Sequence, residues 1–479
     1  MKDYQEVLNA RISEERAAIE LIKITSDLSY EKSIELIIFR NRLIDKSSSE
    51  VLNLHDYAKK FVEKPIDIIE TLAIAKTISE SSLPPSKIDI GKLTHEWIKE
   101  KNTHTNIKSF IRSKLNFLNK QSNNITPKDV ILYGFGRIGR LVARELIAQE
   151  GRGDQLRLRA IVLRNNDNLN MMKRASLLRT DSVHGKFRGT VIADTENKLL
   201  IINGQAIKVI EASKPEDIDY NSFGVDNALL IDNTGVYRDN ASLSRHLQAK
   251  GVEKVLLTAP GNEMPNVVFG ANHLDFNLDS HFIFSAASCT TNAITPVLQV
   301  VNNKFGILNG HIETIHAYTN DQNLVDNMHK KERRGRAAAL NMVITNTGAG
   351  KAVVKVIPDL QDKLTANAVR VPTPNGSLAI LNLSLKERTS INELNNTIKN
   401  AALEGPLVEQ INYSLSNELV STDIVGNSSP AVFDSPATIV SKDGKNIILY
   451  VWYDNEFGYS CQVMRMAKYM SKVRRPMNY

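Results

Sequence analysis

Cysteine is nearly absent: the 479 residues hold two, Cys289 and Cys461. That excludes a disulfide-stapled framework and leaves at least one thiol free to react. No apolar run approaches the roughly 18 residues a membrane span needs. The opening residues Asp3-Tyr4-Gln5-Glu6 lack the apolar stretch of a secretory signal. Charge of one sign is scarce too: 60 basic residues stand against 53 acidic ones, a net +7 too small to imply nucleic-acid binding in so long a chain. No cluster of His and Cys has metal-ligand spacing, so no metal is expected. These absences point to a cytoplasmic chain with no membrane or nucleic-acid partner. Hydrophobic residues at 42% and charged residues at 24% suit a globular protein of two or three domains.

Glycine is also sparse at first. Residues 1–126 show few glycines and no obvious β-branched strand runs. Apolar residues recur there at helical spacing: Ile12, Ile19 and Ile22; Ile34, Ile37 and Ile38; Val51, Leu54, Ala58 and Phe61. Ser47-Ser48-Ser49 supplies N-cap candidates, and Pro65 and Pro84-Pro85 punctuate the pattern. An all-helical extension is expected, joined to the rest by the polar linker Gln121 to Pro127.

The style then changes. Asp129 to Tyr133 reads as a buried strand, followed by a glycine-rich turn, a helical run from Leu141 to Gln149 and a second strand at Leu156 to Leu163. Further strands are expected at Ala228–Ile231 and Val255–Leu257. From Cys289 the pattern shifts to longer alternating strands at Gly310–His316, Ala366–Val371, Leu378–Leu383 and Asn446–Tyr453, and a closing helix is expected at about Ser460–Val473. The expected architecture is α/β. A helical extension (1–126) precedes a Rossmann-type domain (127–288), a mixed or antiparallel α+β catalytic domain (289–455) and a C-terminal helix returning to the Rossmann part (456–479).

Gly134-Phe135-Gly136-Arg137-Ile138-Gly139 lies between a strand and a helix. Gly134 would permit a tight turn, Gly136 a close approach to a pyrophosphate, and Gly139 close packing of helix on strand. The motif alone is weak; its strand–turn–helix context strengthens it. The second strand ends on Arg164, with Asp167 three residues later. Asp167 facing the ribose would favour NAD, whereas Arg164 there would admit the 2′-phosphate of NADP. Both readings stay open.

Ser288-Cys289-Thr290-Thr291-Asn292 joins a strand to an apolar helical run. A thiol at a helix N-terminus is a candidate nucleophile, and His316, 27 residues on, is a candidate base. Taken singly, a cysteine is more often a small buried hydrophobe. The joint setting downstream of a cofactor loop gives the pair its weight.

Five blocks then stand in order: Tyr133 to Arg140, Asp181 to Gly185, Ser288 to Asn292, Arg370 to Asn375 and Trp452 to Glu456. In these blocks the chain from about 129 to 473 resembles the glyceraldehyde-3-phosphate dehydrogenase family, and His316 to Gln322 looks like the branch that accepts NADP. The resemblance implies Cys289 as nucleophile and His316 as base. Gly134, Gly136, Arg137, Ile138, Gly139, Arg164, Asp167, Thr258 and Asn455 would serve the cofactor, NAD or NADP. Thr319 and Arg370 would hold the substrate's phosphate, and Ser288, Thr290, Thr347 and Gly348 an attacking inorganic phosphate. One of Arg333, Arg334 and Arg336 would add a phosphate contact. Tyr133 departs from the family's usual Asn, Ala293 from a second Cys and Phe457 from Trp.

The implied reaction oxidises glyceraldehyde 3-phosphate through a Cys thioester and cleaves that thioester with phosphate, in a homotetramer. Two alternatives are an erythrose-4-phosphate dehydrogenase, which would hydrolyse the thioester, and a regulatory or RNA-binding protein on the same scaffold. The extension, absent from ordinary members, is expected to serve assembly, regulation or an unknown protein partner.

Overall fold

The computed structural model describes residues 3–121 and 125–478, so residues 122–124 of the expected linker lie outside the described ones. Two compact units emerge. One gathers 1–126, 150–155 and 473–479; the other holds 127–149 and 156–472.

The first unit is mostly helical: α1 (Tyr4–Lys32), α2 (Ser48–Tyr57), α3 (Ile68–Glu80), α4 (Ile90–Glu100) and α5 (Ile107–Gln121). Its caps follow from the sequence. Ser47 and Glu50 form a reciprocal capping box on α2. Asp67 accepts from the Ile69 amide at 2.8 Å at the start of α3, and Asp89 accepts from the Lys92 amide at 3.0 Å at the start of α4.

The expectation of an all-helical extension is corrected. Strands β1 (Ile34–Ile38), β2 (Asn41–Arg42) and β3 (Ser86–Asp89) form a small sheet with the tail strand Met477–Asn478, in the order β2-β1-β3-tail. Ile34, Ile37 and Ile38, expected on a helix, are fully buried in β1. A short apolar run buried on both faces has no period that separates strand from helix, and its β-branched residues favour the strand. The tail pairs parallel to β3, with Met477 opposite Lys87. The Gln155 side chain donates to the Val473 carbonyl at 2.5 Å, and Arg152 donates to the Glu31 carbonyl at 2.5 Å. Residues 473–479 therefore belong to this unit, not to the closing helix.

In the second unit the first sheet contains β4 (Lys128–Tyr133), β5 (Leu156–Leu163), β8 (Val191–Asp194), β9 (Leu199–Ile202), β10 (Gln205–Glu211), β11 (Ala228–Asp232), β12 (Val252–Leu257) and β13 (Ile283–Ser285); β6 (Thr180–Asp181) and β7 (Gly185–Lys186) form a separate hairpin. Strand order is β13-β12-β11-β4-β5-β10-β9-β8. The first six are parallel, and β9 and β8 turn back antiparallel. Order reverses between β4 and β11, so the crevice at their carboxyl ends is where such a sheet binds ligand. Helices α6 (Arg137–Ala148), α7 (Asn168–Arg179) and α8 (Asn240–Gln248) accompany it.

The second sheet runs β15 (Val343–Thr345), β16 (Leu364–Val371), β14 (Ile307–Ala317), β17 (Ser377–Leu385), β21 (Asn446–Tyr453), β19 (Ala431–Asp434) and β18 (Ile411–Ser414), with β20 (Ile439–Val440) beside β21. It is mixed, being parallel at β14–β16 and β18–β19 and antiparallel elsewhere. Helices α9 (Cys289–Phe305), α10 (Ala349–Val354) and α11 (Ile391–Leu403) belong to this half. Helix α12 (Phe457–Met470) packs on α6. Among the described residues no helix is long and apolar enough to cross a membrane.

Candidate active site

The glycine-rich turn divides its glycines by task. Gly134 has φ +91°, a left-handed backbone that glycine adopts without penalty. A Cβ on Gly139 would lie 2.5 Å from the Gly134 carbonyl oxygen, so α6 can seat on β4 only without one. Gly136 differs: a Cβ there would meet nothing within 4 Å. The fold does not need that glycine, but a ligand lying against the backbone would. Gly136 is also the N-cap of α6 and offers no side-chain cap to its amides. Open space, bare amides and the helix dipole fit a dinucleotide pyrophosphate.

Arg137 and Ile138 begin α6. The Arg137 guanidinium is engaged in ion pairs: it meets Glu456 at 2.5 Å and Asp181 at 3.2 Å. His184 joins Glu456 at 2.9 Å. Burial alone would raise the Glu456 carboxyl, but hydrogen bonds from His184 and Arg137 outweigh it and hold it below its ordinary value. Burial would likewise raise Asp181, yet the amides of His184 and Val183, with Arg137, hold it at about 2. Thr258 packs between strand ends, its hydroxyl donating to the Asp232 carbonyl at 3.0 Å.

Asp167 is taken up as a helix cap. It accepts from the Asn170 amide at 2.8 Å and from the Asn170 side chain at 2.9 Å. Arg164 stands exposed just past the end of β5.

Cys289 is the first residue of α9, and the Ser288 hydroxyl accepts from the Thr291 amide at 3.0 Å. The turn before it is strained: Ala287 has φ +54°, rare for a residue with a Cβ. Three buried groups hold it. The Tyr459 hydroxyl donates to the Ala287 carbonyl at 2.8 Å, the Ser285 hydroxyl accepts from the Ala287 amide at 3.0 Å, and Asn292 donates to the Ala286 carbonyl at 2.8 Å. The resulting bend leaves Cys289 half-buried with its Sγ 3.5 Å from His316 Nε2.

His316 comes near the end of β14, beside Arg370 on β16. Arg370 Nη1 lies 2.9 Å from both His316 Nδ1 and the Ala317 carbonyl, and His316 Nδ1 is 2.7 Å from the same carbonyl. If Nδ1–H donates to Ala317, Nε2 presents a lone pair to the thiol. If Nδ1 accepts from Arg370, Nε2–H can hold a thiolate. Burial pushes the Cys289 thiol up, with the Arg370 charge opposing that push. Burial lowers His316 to about 3, and the Arg370 charge adds to the effect.

Arg370, Arg334 and the Thr290 hydroxyl lie around this pair. Arg370 Nε is buried with no partner. Arg334 is the buried member of its arginine trio, held at 3.0 Å by the Thr345 hydroxyl and by an ion pair with Asp321. Its charge reaches both His316 and Arg370. Arg333 is exposed, and Arg336 is exposed and paired with Asp326 at 2.9 Å. Thr290 meets the Tyr453 hydroxyl at 3.0 Å. The Thr347 hydroxyl accepts from the Ala349 amide at 3.2 Å, and Gly348 caps α10 over open space. Thr319 is half-buried two residues past the end of β14. Asn455 is buried, its Oδ1 accepting from the Ser377 hydroxyl at 2.8 Å. The sequence offers no signal for Ser377, Tyr459 or the Tyr453 hydroxyl, since each acts through a partner distant in the chain.

Comparison with known proteins agrees with this geometry. A family model described as the NAD binding domain of glyceraldehyde 3-phosphate dehydrogenase matches residues 128–240, and one for the C-terminal domain matches 288–455. A glyceraldehyde-3-phosphate dehydrogenase-like protein of Pseudomonas aeruginosa is 47% identical over 461 residues, covering 95% of this chain and 99% of that one. That likeness includes most of the extension. Glyceraldehyde-3-phosphate dehydrogenase 2 of Trichormus variabilis is 40% identical over 72% of this chain and 98% of its own, and glyceraldehyde-3-phosphate dehydrogenase 1 of Bacillus subtilis is 40% identical over 71% and 97%.

Proposed function

The chain belongs to the glyceraldehyde-3-phosphate dehydrogenase family and is an NAD-dependent oxidoreductase, and from that premise we propose that it oxidises glyceraldehyde 3-phosphate to an acyl phosphate through a thioester on Cys289. The observation that carries this reading is the 3.5 Å approach of Cys289 Sγ to His316 Nε2, flanked by the buried Arg334 and the half-buried Arg370, whose Nε is buried without a partner.

His316 accepts the thiol proton through Nε2 as sulfur adds to the aldehyde carbon and the carbonyl π bond opens, then returns that proton to the former carbonyl oxygen, giving a hemithioacetal. His316 then holds the proton of the hemithioacetal hydroxyl as the carbonyl re-forms and a thioester results. Bound nicotinamide supplies the hydride acceptor. Inorganic phosphate attacks the thioester carbon, the C–S bond breaks, and the thiolate recovers its proton from His316. Arg370, with its unpartnered Nε, and Thr319 hold the substrate's phosphate. Arg334, Ser288, Thr290, Thr347 and Gly348 serve the attacking one. Of the trio of arginines, Arg334 is chosen because it alone is buried beside Arg370. Gly136, the start of α6 and Asn455 hold the cofactor.

Asp167's service as a cap, with Arg164 exposed at the strand end, supports acceptance of NADP alongside NAD. A homotetramer is the assembly proposed, and the extension is proposed to serve assembly, regulation or a protein partner. Rapid-mixing kinetics without phosphate test the reaction. One reduced cofactor per subunit followed by a stall supports phosphorolysis. Sustained turnover without phosphate means hydrolysis, as in the erythrose-4-phosphate alternative.

A further inference from the structure

Ser377 opens β17, is fully buried, and pairs in register with Tyr453 on β21. Its hydroxyl accepts from the Ala317 amide at 3.1 Å and donates to Asn455 Oδ1 at 2.8 Å. Ala317 is also the residue whose carbonyl accepts from Arg370 and lies 2.7 Å from His316 Nδ1. A backbone N–H can only donate, so the Ser377 oxygen must accept on that side. That oxygen could accept a second time, but Ser377 is fully buried and Asn455 is the hydroxyl's one other hydrogen-bond partner among the described residues, so accepting twice would leave the hydroxyl proton unpaired; the proton goes to Asn455, which answers with its carbonyl oxygen. The amide NH2 of Asn455 consequently faces the other way.

We propose that Ser377 is a positioning residue that sets the polarity of the Asn455 side chain, so that Asn455 presents a donor and not an acceptor to the carboxamide of a bound nicotinamide. This rests on the placing of Asn455 at the nicotinamide under the proposed function. The two ends of an asparagine amide have nearly the same shape, so packing alone does not choose between them. The Ala317–Ser377 relay does, and it ties that choice to the strand that carries the base.

The test compares binding of NAD and of ADP-ribose, which lacks the nicotinamide, to the full chain freed of nucleotide, by calorimetry. Ser377→Ala should weaken NAD about tenfold, the scale of one lost buried hydrogen bond, and leave ADP-ribose within about twofold. Ser377→Thr, which keeps the hydroxyl, should retain the wild-type ratio of the two affinities. In an Asn455→Ala background, Ser377→Ala should cost NAD nothing further. A loss shared equally by both ligands in Ser377→Ala, or an unchanged NAD affinity there while Asn455→Ala weakens NAD and spares ADP-ribose, overturns the proposal alone. If Asn455→Ala itself leaves the ratio unchanged, the nicotinamide assignment fails first and the proposal with it.

Discussion

The second and third glycines of the cofactor turn should fail in opposite ways. At Gly139 an added Cβ would stand 2.5 Å from the Gly134 carbonyl oxygen, a backbone atom that cannot rotate aside. Ordinary contact needs about 3.5 Å or more, so α6 must shift away from β4 by about an ångström. Overpacking of this kind costs about 1–3 kcal/mol, and Gly139→Ala should lower stability to that extent. At Gly136 the Cβ meets nothing, so Gly136→Ala should cost about 1 kcal/mol or less, the scale of an N-cap glycine replaced by alanine. Its effect should fall on the ligand: a methyl where the pyrophosphate approaches should weaken NAD at least tenfold, about 1.4 kcal/mol. Urea unfolding of the nucleotide-free chain and calorimetric NAD titration read the two effects separately. Normal NAD affinity in a well-folded Gly136→Ala would refute the assignment of that open space to the cofactor. Full stability in Gly139→Ala would refute the packing argument.

His316→Asn should reduce turnover roughly 10²–10⁴-fold, the usual worth of a general base, in steady-state assays; a loss under tenfold contradicts the role. Because folded His316 is held at about 3 against an unfolded value near 6.5, the unfolded chain binds the extra proton first. Stability should therefore be lost as pH falls from about 6.5 toward 3, by up to about 1.4 kcal/mol per pH unit from this group. His316→Asn should flatten that slope in thermal melts, and an unchanged slope contradicts the buried neutral imidazole. Arg164→Ala should weaken NADP by about 1.5–3 kcal/mol, the scale of a charged hydrogen bond, and spare NAD; equal losses remove Arg164 from the 2′-position. Deleting 1–126 removes β3, the partner of the tail strand, and uncovers Val473 and Gln155, both buried. Calorimetry should show a lower melting temperature for the remaining body, and an unchanged one would mean that the extension is a separable appendage.

Much of this was legible because local chemistry and tertiary demand agree. Leu156–Leu163 and Asn446–Tyr453 are strands with the expected limits, since each carries its β-branched or alternating pattern between clear breaks. Cys289 and His316 could be paired from their blocks although neither residue type alone announces a site. Ile34–Ile38 was not legible, because an apolar run buried on both faces carries no period. Asp167 illustrates a competition that sequence leaves open. The same carboxylate can grip a ribose or cap a helix, and α7 claims it. The tail pairs with β3, nearly 400 residues earlier in the chain, and no local pattern in Met477–Asn478 foretells that partner. The relay through Ser377 and the brace from Tyr459 were hidden for the same reason: their meaning lies in the atom across the gap.

Mass spectrometry of the Cys289 peptide, after mixing the NAD-loaded chain with glyceraldehyde 3-phosphate in phosphate-free buffer and quenching in acid, tests the central claim most directly. The account predicts an acyl group on Cys289, absent in Cys289→Ser and discharged when inorganic phosphate is added before the quench. An unmodified Cys289 while reduced cofactor accumulates in stoichiometric amount, or an acyl group that phosphate leaves in place, would contradict it.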